Sequence, residues 1–228
     1  MDGAVERCRE LIEETGRTTS QVSVNAAKLV AIREDPELRD LVLRSDLVTA
    51  DGQSVVWASR LLGDALPERV AGIDLMQRLL HVAEHRGHRV FFLGATPQVL
   101  ARAVEAITFR HPRLHVAGSR DGYFGPEEEP QVRGEIRAAA PDILFVAMPS
   151  PRKEQWVAAA AGLDVGFAMG VGGSLDVLAG FVRRAPRPVQ RLGLEWLFRL
   201  AQEPRRLLRR YVTTNTRFLA LLIREVTT

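Results

Sequence analysis

Short apolar and β-branched runs alternate with helical patterns along most of the chain. Residues 4–14 read as a short amphipathic helix. Strand-like runs follow at 21–25 (QVSVN), 46–50 (DLVTA), 89–94 (RVFFLG), 114–118 (LHVAG), 142–148 (DILFVAM) and 165–170 (VGFAMG). Between them, residues 26–32, 36–44, 54–62, 73–86, 97–109, 127–139 and 153–161 carry helical spacing, with Pro36 and Pro97 near helix starts. The runs at 89–94 and 142–148 are apolar throughout, which marks strands buried on both faces. Strand–helix alternation at this spacing predicts an α/β fold: a Rossmann-like parallel sheet with helices on both faces.

Ligands of such sheets bind beyond the carboxyl ends of the strands. The residues there are Asn25, Asp51-Gly52, Gly94-Ala95-Thr96, Asp121-Gly122-Tyr123, Met148-Pro149 and Gly170-Val171-Gly172-Gly173. After about Gly180 the chemistry changes. One helical pattern carries Leu192, Leu194, Trp196, Leu197 and Leu200, Pro204 interrupts, and a second carries Leu207, Leu208, Tyr211, Phe218, Leu219, Leu222 and Ile223. The division expected is a catalytic α/β domain over 1–180 and a helical appendage over 181–228.

Charge sharpens that division. Residues 181–228 hold eleven arginines, no lysine and three glutamates, a net +8. The whole chain is +3, which leaves −5 for residues 1–180. A basic, apolar tail on an acidic body calls for a polyanionic partner. Two readings stay open: a helical hairpin packed on the domain with solvated arginines, or an interfacial helix with arginines at lipid headgroups. A single cysteine, Cys8, allows no internal disulfide. The charged N-terminus is not a signal peptide, and no run approaches the ~20 apolar residues of a spanning helix. The expected location is the cytoplasm, or a membrane surface bound from that side.

The chemistry visible in single motifs is modest. The turn Gly170–Ser174 follows a strand and can hold phosphate through backbone N–H groups, although a plain strand-to-helix turn looks the same. No G-x-G-x-x-G and no P-loop motif is present. Asp51 can accept a proton or hold a ribose, yet Asp-Gly is also a common turn pair. Asp176 can cap a helix or bind ligand hydroxyls. Arg69 can hold phosphate, and Tyr123 and Phe124 can stack on a base. His81, His85 and His88 are helically spaced but lack the pattern of a metal site, so they read as the solvated end of a helix. Together these features point to a nucleotide-diphosphate ligand on an α/β domain.

The segments TADGQSVVWASRLLG (49–63) and LPERVAGIDLMQRLL (66–80) closely resemble the WecG/TagA/CpsF family, glycosyltransferase family 26. The likeness continues through VFFLGATP (90–97), DGYF (121–124), PRKEQWV (151–157), GVGGSLDVLAG (170–180) and the arginine-rich segment 183–211, and so covers nearly the whole chain. The resemblance implies an inverting, metal-independent transfer of N-acetylmannosamine or a related sugar. The donor is its UDP derivative and the acceptor a polyprenyl-diphosphate-linked sugar, as in teichoic acid, common-antigen or capsule synthesis. No cofactor is implied. By the same resemblance, Asp51 deprotonates the acceptor hydroxyl, Asn25 sits beside the reacting sugar, and Arg69 offsets charge on the leaving UDP. Tyr123 stacks on uracil, and Asp176 lies near the nucleoside. Arg199, Arg206 and Arg209 clamp the acceptor diphosphate. Ser23, Gly94, Ala95, Lys153, Gly172 and Gly173 complete the expected substrate-binding set. A lipid-linked acceptor favours the interfacial reading of the tail, at the inner face of the cell membrane.

The chain departs from the family pattern at several positions. It starts at the first helix, whereas the family begins with a strand of the type I-L-G-V-x-V. Ser23 replaces a threonine, Gln53-Ser54 replace an apolar residue with Gly or Pro, and Lys153 replaces a glutamine. Lysine brings a full charge, which bears on which sugar is donated. Three other readings compete: the same chemistry on a soluble acceptor, nucleic-acid binding by the arginine tail, and a nucleotide-dependent oxidoreductase. The aromatics of the tail sit among leucines at helical spacing, which argues against nucleic acid. Tail helices can also pack on a second copy of the chain.

Overall fold

Six strands pair in parallel in the computed structural model of the chain: β1 (Thr19–Val24), β2 (Leu47–Ala50), β3 (Arg89–Gly94), β4 (His115–Arg120), β5 (Ile143–Ala147) and β6 (Phe167–Gly170). Their order across the sheet is β2-β1-β6-β5-β3-β4. The structure describes residues 1–14 and 16–227, without the side chains of Arg191, Arg206, Leu207 and Arg210. The Rossmann-like α/β class expected from the alternation is the observed one.

The apolar runs became the centre of the sheet. Every residue of β5 and β6 is buried, and so is all of β3 except Arg89. Successive side chains face opposite sides of a strand, so each run feeds two cores. Phe92, Phe145 and Phe167 join one core with helices α1 (Asp2–Glu13), α5 (Gly72–Arg86), α6 (Pro97–Arg110) and α9 (Ser174–Leu178). Phe91, Leu93, Leu144 and Val146 join the other, with α3 (Pro36–Leu43), α7 (Glu129–Ala139) and α8 (Arg152–Ala159). Phe92 and Phe145 stack with ring centroids 5.8 Å apart, adding about 1 kcal/mol to their burial. Capping side chains start the helices where the sequence placed them. Asn25 Oδ1 accepts from Lys28 N–H at 3.0 Å at the start of α2 (Ala26–Glu34), Asp35 caps α3, and Thr96 caps α6 ahead of Pro97. Such caps are worth ~1 kcal/mol each.

The chain leaves β3 toward β4 but returns through β5 toward β6, in the opposite direction. The carboxyl ends of β3 and β5 are therefore the topological switch point, the place where ligands of such sheets bind. Backbone packs closely there. A Cβ on Gly94, at φ +120°, would lie 2.3 Å from the Ala147 carbonyl oxygen, so only glycine fits.

The tail differs from its expected form. Leu192 and Leu194 do not share a helix with Trp196. Instead, α10 (Arg187–Arg191) ends before a turn at Gly193, and α11 (Glu195–Gln202) begins after it. Gly193 breaks the pattern because its φ is +72° and a Cβ there would meet the Gln53 side chain at 2.6 Å. This turn seats the tail on α4 (Gln53–Leu61). The final helix, α12 (Pro204–Thr227), follows Pro204 as expected and packs on α2 and α11. Arg217 pairs with Glu34 at 3.0 Å, and Trp196 meets Tyr211 edge-on. Leu192, Trp196, Leu197, Leu208, Val212, Leu219 and Ile223 stay exposed nonetheless. Among the described residues, no helix is long and apolar enough to cross a membrane.

Candidate active site

Asp51 stands one residue past β2. Its N–H donates to the Val24 carbonyl at 2.9 Å, which fixes it beside the end of β1. The returning chain crosses the same end, because Val70 N–H donates to the Ala50 carbonyl at 2.8 Å. That crossing delivers Arg69 and Gly72 to Asp51. Gly72 N–H hydrogen-bonds the carboxylate, and Ser23 Oγ faces the same glycine. Ser23 Oγ in turn lies 3.3 Å from Thr49 Oγ1, and the buried Gln21 amide donates to both hydroxyls. Asn25 is exposed beside Gly52. Its oxygen is occupied by the helix cap, which leaves its NH₂ for a ligand.

Burial pushes the Asp51 carboxyl up to about 6, well above the ordinary carboxylate range. Arg69, the Gly72 N–H and Arg199 pull it down, and Glu195 pushes it up. At neutral pH such a group is ionised yet basic enough to accept a proton.

Tail residues complete the surroundings. Glu195 of α11 accepts from Arg69 at 2.9 Å, with both side chains under 15% exposed. Arg184 lies 3.7 Å from the other Glu195 oxygen and grips Asp74 with two hydrogen bonds. Asp51, Asp74 and Glu195 thus each face a guanidinium. Among the described residues these three carboxylates do not form a group with metal-ligand spacing.

A second group lies at the ends of β5 and β6. The Lys153 stem crosses Gly170, where a Cβ would lie 2.9 Å from it, and its ammonium reaches toward Gly172. Lys153 pairs with the buried Glu154 at 3.4 Å, and Glu154 also binds buried Lys28 and the Ser150 hydroxyl. Burial alone would raise Glu154, but Lys153 and Lys28 outweigh it and hold the carboxyl low. Burial, with Lys153 nearby, lowers Lys28 to about 8. The triad carries a net positive charge beneath the glycine turn. Asp176 lies against Gly173, with a carboxylate oxygen 3.7 Å from where a Cβ would stand.

A third group is backbone. Ala95, at φ +60°, donates to the Ala147 carbonyl at 2.8 Å, and Gly122 N–H donates to the Ala95 carbonyl at 2.9 Å. These bonds draw the loops after β3, β4 and β5 together. Tyr123 is 73% exposed, and its backbone N–H bonds Asp121. Its ring is therefore outside the core. Arg209 is exposed on α12, and the Arg206 side chain falls outside the described residues. A shallow pocket lined by Glu129, Arg133, Arg152, Gln155 and Trp156 lies between α7 and α8 and includes none of the candidate residues.

Sequence reasoning passed over Gly72, Glu195, Lys28 and Glu154. Lys28 left one trace, a lone charge inside the apolar run AAKLVAI. Glu195 left none, because in a segment of net +8 an acid reads as an ordinary helix N-terminal residue.

The carboxyl edge of this Rossmann-like sheet thus gathers a carboxylate of raised pKa, two part-buried arginines and a lysine-backed glycine turn, a set able to hold an anionic ligand. The model of the glycosyl transferase WecG/TagA/CpsF family matches residues 1–228. The chain belongs to this family, which consists of glycosyltransferases of cell-surface polysaccharide synthesis.

Proposed function

We propose that this protein is an inverting, metal-independent glycosyltransferase. It moves N-acetylmannosamine or a related sugar from a UDP donor to a polyprenyl-diphosphate-linked acceptor. The observation that carries the reading is Asp51: a carboxylate poised near pH 6, hydrogen-bonded by Gly72 and flanked by Arg69. An inverting transfer needs one base on the acceptor side and positive groups on the leaving diphosphate. In this reading Asp51 takes the acceptor proton while the hydroxyl oxygen attacks the anomeric carbon and UDP departs. Arg69 and the glycine turn at 170–173, with Lys153, offset the charge on UDP. The free NH₂ of Asn25 and the hydroxyl of Ser23 orient the sugar. Tyr123 and Asp176 hold the nucleoside. The Gly94–Ala95 turn borders the ligand at the switch point.

The tail, residues 181–228, serves as an appendage to the 1–180 domain at the inner membrane face. Its exposed leucines and tryptophan contact lipid, and Arg199, Arg206 and Arg209 hold the acceptor diphosphate. Calorimetric titration with UDP, UDP-N-acetylmannosamine, UDP-N-acetylglucosamine and NAD, without metal, tests the donor class. Binding of UDP and one UDP-sugar is expected. Asp51→Asn should keep that binding and lose most turnover, by about 10²–10⁴-fold. Absence of uridine-nucleotide binding, or unchanged turnover in Asp51→Asn, refutes the reading.

A further inference from the structure

The last two turns of α5 and the end of α6 bring three potential metal ligands together, far from Asp51 in the topology. His81 and Glu84 are three residues apart on α5 and so share a face. His111 caps the carboxyl end of α6. One ligand atom from each of His81, Glu84 and His111 lies within 4.8 Å of the other two, and among the described residues no other group of three does so.

The cluster is partly set already. His111 Nδ1 lies 2.9 Å from Glu84 Oε2. Arg113 N–H donates to the other Glu84 oxygen at 3.2 Å, which fixes the carboxylate from behind. Outer hydrogen bonds of this kind orient metal ligands. His81 is exposed, and its ring centroid lies 6.4 Å from that of His111. Bound zinc needs ligand atoms roughly 3.3 Å apart, given bonds of ~2.0–2.1 Å and tetrahedral angles. The ligand atoms lie within 4.8 Å of one another, so binding would draw them in by about 1.5 Å at most. The His85 ring lies 4.1 Å from the His81 ring, and three protein ligands would leave the fourth position of a tetrahedral site open to water.

We propose that His81, Glu84 and His111 bind a zinc-class transition-metal ion that ties α5 to α6. Two imidazoles and one carboxylate suit Zn²⁺, Ni²⁺ or Co²⁺ and not the all-oxygen preference of Mg²⁺ or Ca²⁺. The helix ends concerned feed the first residues of β3 and β4, so the ion sits at the amino edge of the sheet. Asp51 and the glycine turn sit at the carboxyl edge. The ion is therefore structural, and this site is independent of the proposed sugar transfer. The sequence hid it because two ligands lie within one helix turn and the third arrives 27 residues later.

The test uses the full chain, stripped with chelator and dialysed. Zn²⁺ is titrated calorimetrically, and melting is followed with and without Zn²⁺. One equivalent should bind with micromolar affinity, and the melting midpoint should rise by several degrees. His81→Ala, Glu84→Gln and His111→Ala should each weaken binding at least tenfold and abolish the rise. His88→Ala, whose ring faces Asp142 instead, should behave as the parent. Each variant is compared with itself, metal-free against metal-loaded, so a loss of intrinsic stability does not obscure the result. Co²⁺ loading should give a visible ligand-field spectrum that disappears in His111→Ala. Saturable binding that survives all three substitutions, or no saturable binding by the parent, overturns the proposal and leaves His111–Glu84 as an ordinary ion pair.

Discussion

Acid should lower activity through Asp51, and the size of the effect follows from its surroundings. A base with a pKa of about 6 is ~90% ionised at pH 7, half ionised at pH 6 and ~10% ionised at pH 5. The kcat/KM for UDP release should therefore fall about tenfold from pH 7 to pH 5. An ordinary aspartate at ~3.9 would lose under a tenth over the same range. Neighbouring charges give the prediction direction. Arg69 is the largest influence holding the pKa down, so the residual activity of Arg69→Met should titrate at higher pH than the parent's. Glu195 pushes the pKa up, so Glu195→Gln should titrate lower. Initial rates at constant ionic strength across pH 5–8.5 measure all three. A profile flat down to pH 5, or a midpoint unmoved in Arg69→Met, refutes Asp51 as the titrating base.

The same shift has a stability consequence. Between pH ~3.9 and about 6 the folded chain holds a proton on Asp51 that the unfolded chain has released. This group's contribution therefore falls as pH rises through that window. Above pH 6 the deficit is on the order of 3 kcal/mol. Asp51→Asn should melt higher than the parent at pH 7.5 and converge with it below pH 4; a lower melting point at pH 7.5 would contradict the sign.

The remaining predictions concern the triad and the tail. Glu154→Gln strands the Lys28 and Lys153 charges under the glycine turn, and breaking such a buried pair should cost about 3–5 kcal/mol in urea unfolding. Adding Lys28→Met should recover part of that loss, and a double variant no more stable than Glu154→Gln would count against the pairing. Deleting 181–228 should reduce co-sedimentation with anionic vesicles at low salt, and an undiminished bound fraction would remove the membrane role.

Legibility in the sequence followed burial. The strands β3 and β5 are plain as apolar runs because both faces are covered, so no polar position interrupts them. The edge strand β4 extends to Arg120, past the expected end at 118, because its Gly-Ser-Arg end is only half-buried and carries no apolar signal. The α10–α11 break was missed because leucine spacing runs through it, while the turn answers to a contact between Gly193 and Gln53, 140 positions away. Asp51 and Arg69 gained candidate roles from their place after a strand and from the family likeness. Their partners did not, because the Arg69–Glu195 and Lys28–Glu154 pairs each span 126 residues. Local periodicity carries no information over that distance.

Those long-range pairs change how the tail bears on catalysis. The appendage brings both signs of charge to Asp51: Arg199 lowers its pKa and Glu195 raises it. The two effects oppose, with Arg199 the larger, so α11 partly cancels its own influence on the carboxylate. Its larger effect is geometric. Arg69 lies at the end of an otherwise exposed stretch, residues 61–68, and its partner is Glu195. Without that anchor the guanidinium can swing to solvent, and the same stretch leads directly into Gly72, whose N–H holds Asp51. Arg184, gripping Asp74 on the first turn of α5, fastens the tail to the same helix from the other side. A tail lifted from the body would thus loosen base and leaving-group cation together. Site assembly therefore depends on the docked tail itself, through the Arg69–Glu195 and Arg184–Asp74 contacts.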